Sequence, residues 1–211
     1  MSNDGLSPLA RLAGPASIVA GVLLTGSQLV MWTLDRADRV AILNSITYKI
    51  TMASYVIGFF ALMVALVAIY QRQAREAGTF GLVALCVAIA GTMDMVGNMW
   101  WFDAFVGPWI ADVMPQTLSA PKRGTLVIAA LSSYLLLPLG WLLFGIASFR
   151  ARVYPRILSV AIMIAAVISY GAGLPPYGIP LGLAVGAVGV WCLAHPGRRS
   201  AETTERLAVR P

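Results

Sequence analysis

Residues 79–105 read TFGLVALCVAIAGTMDMVGNMWWFDAF. A helix rises about 1.5 Å per residue and a bilayer core is about 30 Å thick, so roughly 20 apolar residues cross it. This run is long enough, and it holds an acid, Asp94, well inside its length. Outward from it, five further apolar runs lie near 12–34, 50–71, 125–149, 154–170 and 177–194. The expected fold class is therefore all-α: a polytopic transmembrane helix bundle of about six helices. Residues 1–194 would form the single bundle domain and 195–211 a polar cytoplasmic tail. The last two runs are short and joined by a tight turn at 171–176, so 154–194 reads either as two full spans or as a re-entrant hairpin.

Composition agrees. Of 211 residues, 59% are hydrophobic and 11% charged, and the mean hydropathy is +0.79. A soluble domain would need more charge to cover its surface. The net charge of +6 does not indicate nucleic acid, because the basic residues sit in short clusters between apolar runs. Cys86 and Cys192 fall inside apolar runs and the sole histidine is His195, so no metal site and no cofactor is expected. The first apolar run lacks a small-x-small cleavage pattern and reads as a retained helix, not a signal peptide.

Six helices place both termini on one side, with ten of the fifteen Lys and Arg residues; Arg36, Arg39, Lys49, Lys122 and Arg123 fall on the other. That bias puts both termini in the cytoplasm of a cell-membrane protein. Tyr70 and Tyr154, near Arg72 and Arg152, suit interfacial positions. Residues 35–48 predict a short interfacial helix. Residues 106–124, with Pro108, Pro115 and Pro121, predict either a surface lid or an irregular connector anchored by Trp109. Gly178, Gly182 and Gly186 recur at four-residue spacing, which suits close packing on a neighbouring helix or a second subunit. No pair of interrupted helices recurs in the two halves, which weakens a transporter reading.

An acid near mid-bilayer costs at least about 2.5–3.5 kcal/mol on insertion scales and by default marks a functional site. Asp94, Asn98, Trp101 and Phe105 form one helical stripe. Asp103 lies half a turn from Asp94, so the two acids share a face only if the helix breaks near Trp100. Gln28 (on a stripe with Gly21, Thr25 and Trp32), Tyr55 beside Thr51 and Ser54, and Tyr134 with Pro138 and Trp141 bring polar or aromatic groups to a similar depth. Ser169 and Tyr170 add to that level. The reading is a polar, aromatic-walled cavity with Asp94 and Asp103 as candidate catalytic acids. Gln28, Tyr55, Asn98, Trp101, Phe105, Tyr134 and Trp141 are its candidate substrate-binding residues. The competing reading is interhelical hydrogen-bond glue, worth about 0.6 kcal/mol per group on average.

A carboxyl group kept from water is harder to ionise, and a neutral acid among aromatic rings can protonate an alkene or epoxide while the rings stabilise the resulting cation. In length, helix count and acid-plus-aromatic content the chain resembles the small integral-membrane terpene cyclases of bacteria and fungi. The stretch GWLLFGIA at 140–147, followed by RARVYPR at 150–156, resembles small uncharacterised membrane proteins of actinobacterial type. The first resemblance implies a membrane enzyme acting on a lipophilic, prenyl-type substrate through protonation-initiated cyclisation. The outward-opening pocket of the expected topology tells against it, because prenyl substrates are made in the cytoplasm. The alternatives are a membrane protein that binds or transports a small ligand, with Asp94 as counter-ion, and a non-catalytic interaction partner using the glycine face of the last helix. The expected partners are membrane lipid and a lipophilic small molecule, with no nucleic acid.

Overall fold

The computed structural model of the protein describes residues 7–34, 38–121 and 123–195. The expected tail beyond His195, Arg36 and Lys122 lie outside these. Among the described residues every regular element is helical: α1 (Pro8–Arg11), α2 (Ala13–Thr33), α3 (Arg39–Asn44), α4 (Ile46–Gly97), a π-helical segment (Asn98–Val106), α5 (Gly107–Val113), a 3-10 turn (Pro115–Ser119), α6 (Thr125–Ala151), α7 (Arg156–Ile168), a second 3-10 turn (Ser169–Gly171) and α8 (Ile179–Ala194).

Three stretches are long and apolar enough to cross a membrane: Ala13–Thr33, Ile46–Val113 and Thr125–Ala151. The second is two limbs. Gly78 interrupts α4 with φ 58° and ψ −156°, a conformation that costs glycine little and other residues much. The limbs fold back on each other, so that the Phe60 ring lies 6.2 Å from that of Trp100. These limbs correspond to the runs 50–71 and 79–105.

Glycines decide how the helices close into a bundle. A Cβ on Gly21 would lie 2.7 Å from the Gly182 carbonyl and 2.8 Å from Gly186 Cα, so α2 and α8 touch backbone to backbone. Gly58 of the first α4 limb packs on Leu23 and Leu24 of α2. Gly91 of the second limb abuts the Leu136 backbone of α6, and a Cβ on Gly140 would come within 2.5 Å of Ala88 Cα. Gly145 sits against Met163 of α7, which in turn packs on α8. The glycine face of the last helix is thus filled within the chain: α2 covers Gly182 and Gly186, and Gly178 faces Gln28 and Tyr55. Of the two expected settings for that face, a neighbouring helix or a second subunit, the chain itself supplies the first.

Polar ties lock the end near Gly78. Gln73 Nε2 donates to Ser148 Oγ at 2.9 Å, and Tyr154 OH donates to Ile69 O at 3.0 Å. Tyr154 is therefore a buried clamp rather than an interfacial ring. Arg72, also buried, donates to Cys192 O and His195 O and caps the last carbonyls of α8. His195 stacks on Trp191 with ring centroids 4.7 Å apart, so the chain there is docked, where the tail was expected to begin.

At the other end the two long connections meet. Asp38 and Ser45 accept from Ala41 N and Tyr48 N, starting α3 and α4. Leu43 of α3 lies against Gly107 of α5, and Arg39 Nη1 donates to Leu118 O at 3.3 Å. At the tip of the α7–α8 hairpin Ala172 and Gly178 are buried against Gln28 and Tyr55, while Leu174 and Tyr177 are exposed.

Replacing Gly91 or Gly140 with leucine forces two backbones apart and is expected to cost about 1–3 kcal/mol or more. Gly26→Leu, at a position with nothing within 4 Å of an added Cβ, should stay within about 0.5 kcal/mol of the parent. Reversible denaturation of the purified protein in detergent reads both; equal effects at the three positions would refute the packing described.

Candidate functional site

The residues expected to share one cavity divide into three separate settings. The first is a buried clasp. Gln28 Nε2 donates to Tyr55 OH and to Ala172 O, each at 2.8 Å, and Tyr55 OH donates to Ala172 O at 2.6 Å. These groups hold the hairpin tip and leave no room for a substrate, because a Cβ on Gly178 would already meet Tyr55 OH at 2.8 Å. Tyr134 borders the clasp: a Cβ on Gly173 would lie 2.7 Å from its hydroxyl, and its ring lies 6.4 Å from that of Tyr170. The Asp103 carboxyl stands within electrostatic range of Tyr48, Tyr55 and Tyr134.

The second setting is solid core. Trp141 is 0% exposed, its ring edge-on to Phe144. Its Nε1–H donates to Thr92 Oγ1 at 3.0 Å, and Thr92 passes its own proton to Ala88 O at 2.7 Å. Trp141 thus joins α6 to the second limb of α4 and does not line a cavity.

The third setting is a lateral groove of about 440 Å³ between the second limb of α4, the π segment and the first turns of α6. Met93, Asp94, Gly97, Asn98, Trp101 and Phe102 form one wall; Leu126, Ala129 and Ser133 form the other. Of the residues expected at the site, Asp94, Asn98 and Trp101 line this groove. Asp94 is half-buried; its Oδ2 is out of contact with solvent and has no hydrogen-bond partner. The groove is open at the surface, where Trp101 is 68% exposed.

The π segment explains why the other residues of the stripe do not arrive. Gly107 N–H bonds to Phe102 O, five residues back, and Pro108 follows, with no N–H to offer an α-helical partner. Each residue of such a wide turn rotates less than in an α-helix. Phe105 therefore leaves the Asp94 stripe and comes within 5.5 Å of Trp100, centroid to centroid. Asp103 is carried towards the tyrosines and does not line the groove. The anticipated carboxylate pair is replaced by two acids in different surroundings.

Sequence reasoning missed Met93, Gly97, Phe102, Leu126, Ala129 and Ser133. A signal existed: Leu126, Ala129 and Ser133 share one helical face, and a small residue at 97 faces small residues on α6. Among the described residues no three His, Cys, Asp or Glu side chains converge as a metal site would need. Comparison of the chain with protein-family models, curated proteins and solved structures finds no match.

A polar atom that is buried without a partner destabilises the fold that holds it. Asp94→Asn is accordingly expected to hold or raise the denaturation midpoint. Tyr55→Phe, which removes a donor from the clasp, should lower stability by about 1 kcal/mol. If Asp94→Asn destabilises as much as Tyr55→Phe, the carboxyl has an internal partner and the groove loses its significance.

Proposed function

We propose that this chain is a multi-span membrane protein whose lateral groove receives a lipophilic small molecule from the bilayer, with Asp94 as the polar anchor. The observation that carries this reading is the Asp94 carboxyl oxygen, buried without a partner in the wall of an open groove. An intramembrane acid is costly and is rarely kept without a task.

Membrane residence is supported by the distribution of side chains. Val22, Leu135 and Val190 are 65%, 55% and 60% exposed, whereas Ser17, Gln73, Thr92 and Ser159 are buried. That arrangement suits a solvent that cannot hydrogen-bond. The break at Gly78 and the helices α2, α6, α7 and α8 support six crossing segments, the last two short. The charge bias then places both termini in the cytoplasm. Reporter fusions at residues 77 and 153 should be cytoplasmic and a fusion at 119 external; a fusion at 77 on the same side as one at 119 contradicts the topology.

Binding fits the geometry better than cyclisation does. A cyclase must wrap its carbocation in aromatic faces and keep nucleophiles out. Here, among the described residues, Trp101 and Phe102 are the only rings on the groove, Trp101 is largely exposed, and Trp141, Tyr55 and Tyr134 are elsewhere. The groove's size lies within the usual range for small-molecule sites, about 300–1,000 Å³.

Gly97 supplies the test. It lines the groove, and an added Cβ meets nothing within 4 Å. Gly97→Leu should plug the groove without loss of stability. A photoreactive lipophilic probe in nanodiscs should label residues 93–102 and 126–133 of the parent and lose that labelling in Gly97→Leu. Labelling spread evenly over the apolar exterior, unchanged by the plug, would refute a binding site.

A further inference from the structure

The polar atoms of the groove discriminate between ligand classes. Resting on the groove reading above, we infer that the ligand is a lipophilic ammonium, seated with its N–H on the Asp94 carboxylate and its apolar body against Met93, Trp101 and Leu126, and that phosphorylated or carboxylated lipids are rejected.

Asp94 Oδ2 is an acceptor without a donor. Ser133, fully buried in the wall, donates its Oγ–H to Ala129 O at 3.0 Å and so offers the groove no donor. Asn98 adds an amide, which accepts through its oxygen as well as donating. The wall therefore has a surplus of acceptors. Among the described residues no Lys, Arg or His lines it, and Arg123, at the head of α6, is exposed and outside the lining. An anionic headgroup beside Asp94 would place like charges together in apolar surroundings, where their repulsion is weakly screened. A cation meets the opposite situation. It pairs with the carboxylate, and the faces of Trp101 and Phe102 add cation–π attraction. The same balance disfavours a prenyl diphosphate, whose charged head would find no cationic side chain on the groove.

The test uses three fluorescent probes that share one apolar body: 9-(aminomethyl)anthracene, 9-anthracenemethanol and 9-anthracenecarboxylate. Each is titrated into the full-length protein in nanodiscs of zwitterionic lipid, and binding is read by energy transfer from tryptophan. The amine should bind about tenfold or more tighter than the alcohol, and the carboxylate more weakly still. Asp94→Asn, checked for a denaturation midpoint no lower than the parent's, should reduce the amine to the level of the alcohol. Gly97→Leu should abolish saturable binding of all three. If the alcohol or the carboxylate binds as tightly as the amine and Gly97→Leu still abolishes binding, the ammonium inference is overturned and the groove stands. If no probe binds saturably, or if Gly97→Leu changes nothing, the groove reading falls and the inference with it.

Discussion

Where two helix backbones touch, no side chain separates them, and this bundle has such contacts at Gly21 with Gly182 and Gly186, at Gly91 with Leu136, and at Gly140 with Ala88. Those approaches fix the spacing of α8, α2, both limbs of α4 and α6. Several interior polar groups are then paired within narrow gaps. Gln28 and Tyr55 meet the carbonyl of Ala172, Trp141 meets Thr92, and Gln73 meets Ser148. Each pair spans two elements and is buried, so each is a link in the scaffold. Gln28 Oε1, Gln73 Oε1 and Asp94 Oδ2 have no such link, and of these three residues Asp94 alone is an acid and lines the groove.

The π segment shapes the groove on this scaffold. A regular helix through Asn98–Val106 would carry Phe105 along the Asp94 stripe. The widened turn instead directs Phe105 to Trp100 and carries Asp103 towards the tyrosines. Asp94, Asn98 and Trp101 remain on the groove, faced across it by the small residues Ala129 and Ser133. Pro108 gives a physical reason for the widening, since it removes the donor that would continue the α-helical ladder.

The long apolar runs were legible in the sequence because hydropathy over about 20 residues is a strong signal and depends on no partner. The four-residue glycine spacing in 178–186 was legible as a close approach, but nothing in it says that α2 is the neighbour. The helix projection correctly set Asp94 apart from Asp103 and grouped Asp94 with Asn98 and Trp101. It misplaced Phe105 because it assumed one pitch throughout. Gln28 and Tyr55 were recognised as polar groups at one depth, yet their acceptor is a backbone carbonyl from the opposite end of the chain, which no side-chain pattern announces. By type Tyr154 suits an interfacial position and Arg72 a cytoplasmic helix end, yet tertiary contacts turn both inward.

The central claim is that the Asp94 carboxyl is reached from the lipid phase. Dicyclohexylcarbodiimide, a lipid-soluble carboxyl reagent, tests this on the protein in nanodiscs, with modified residues identified by peptide mass. The account predicts a stable adduct at Asp94, absent in Asp94→Asn and not formed by a water-soluble carbodiimide. An unmodified Asp94 under conditions that label Asp103 or Asp112 would contradict it.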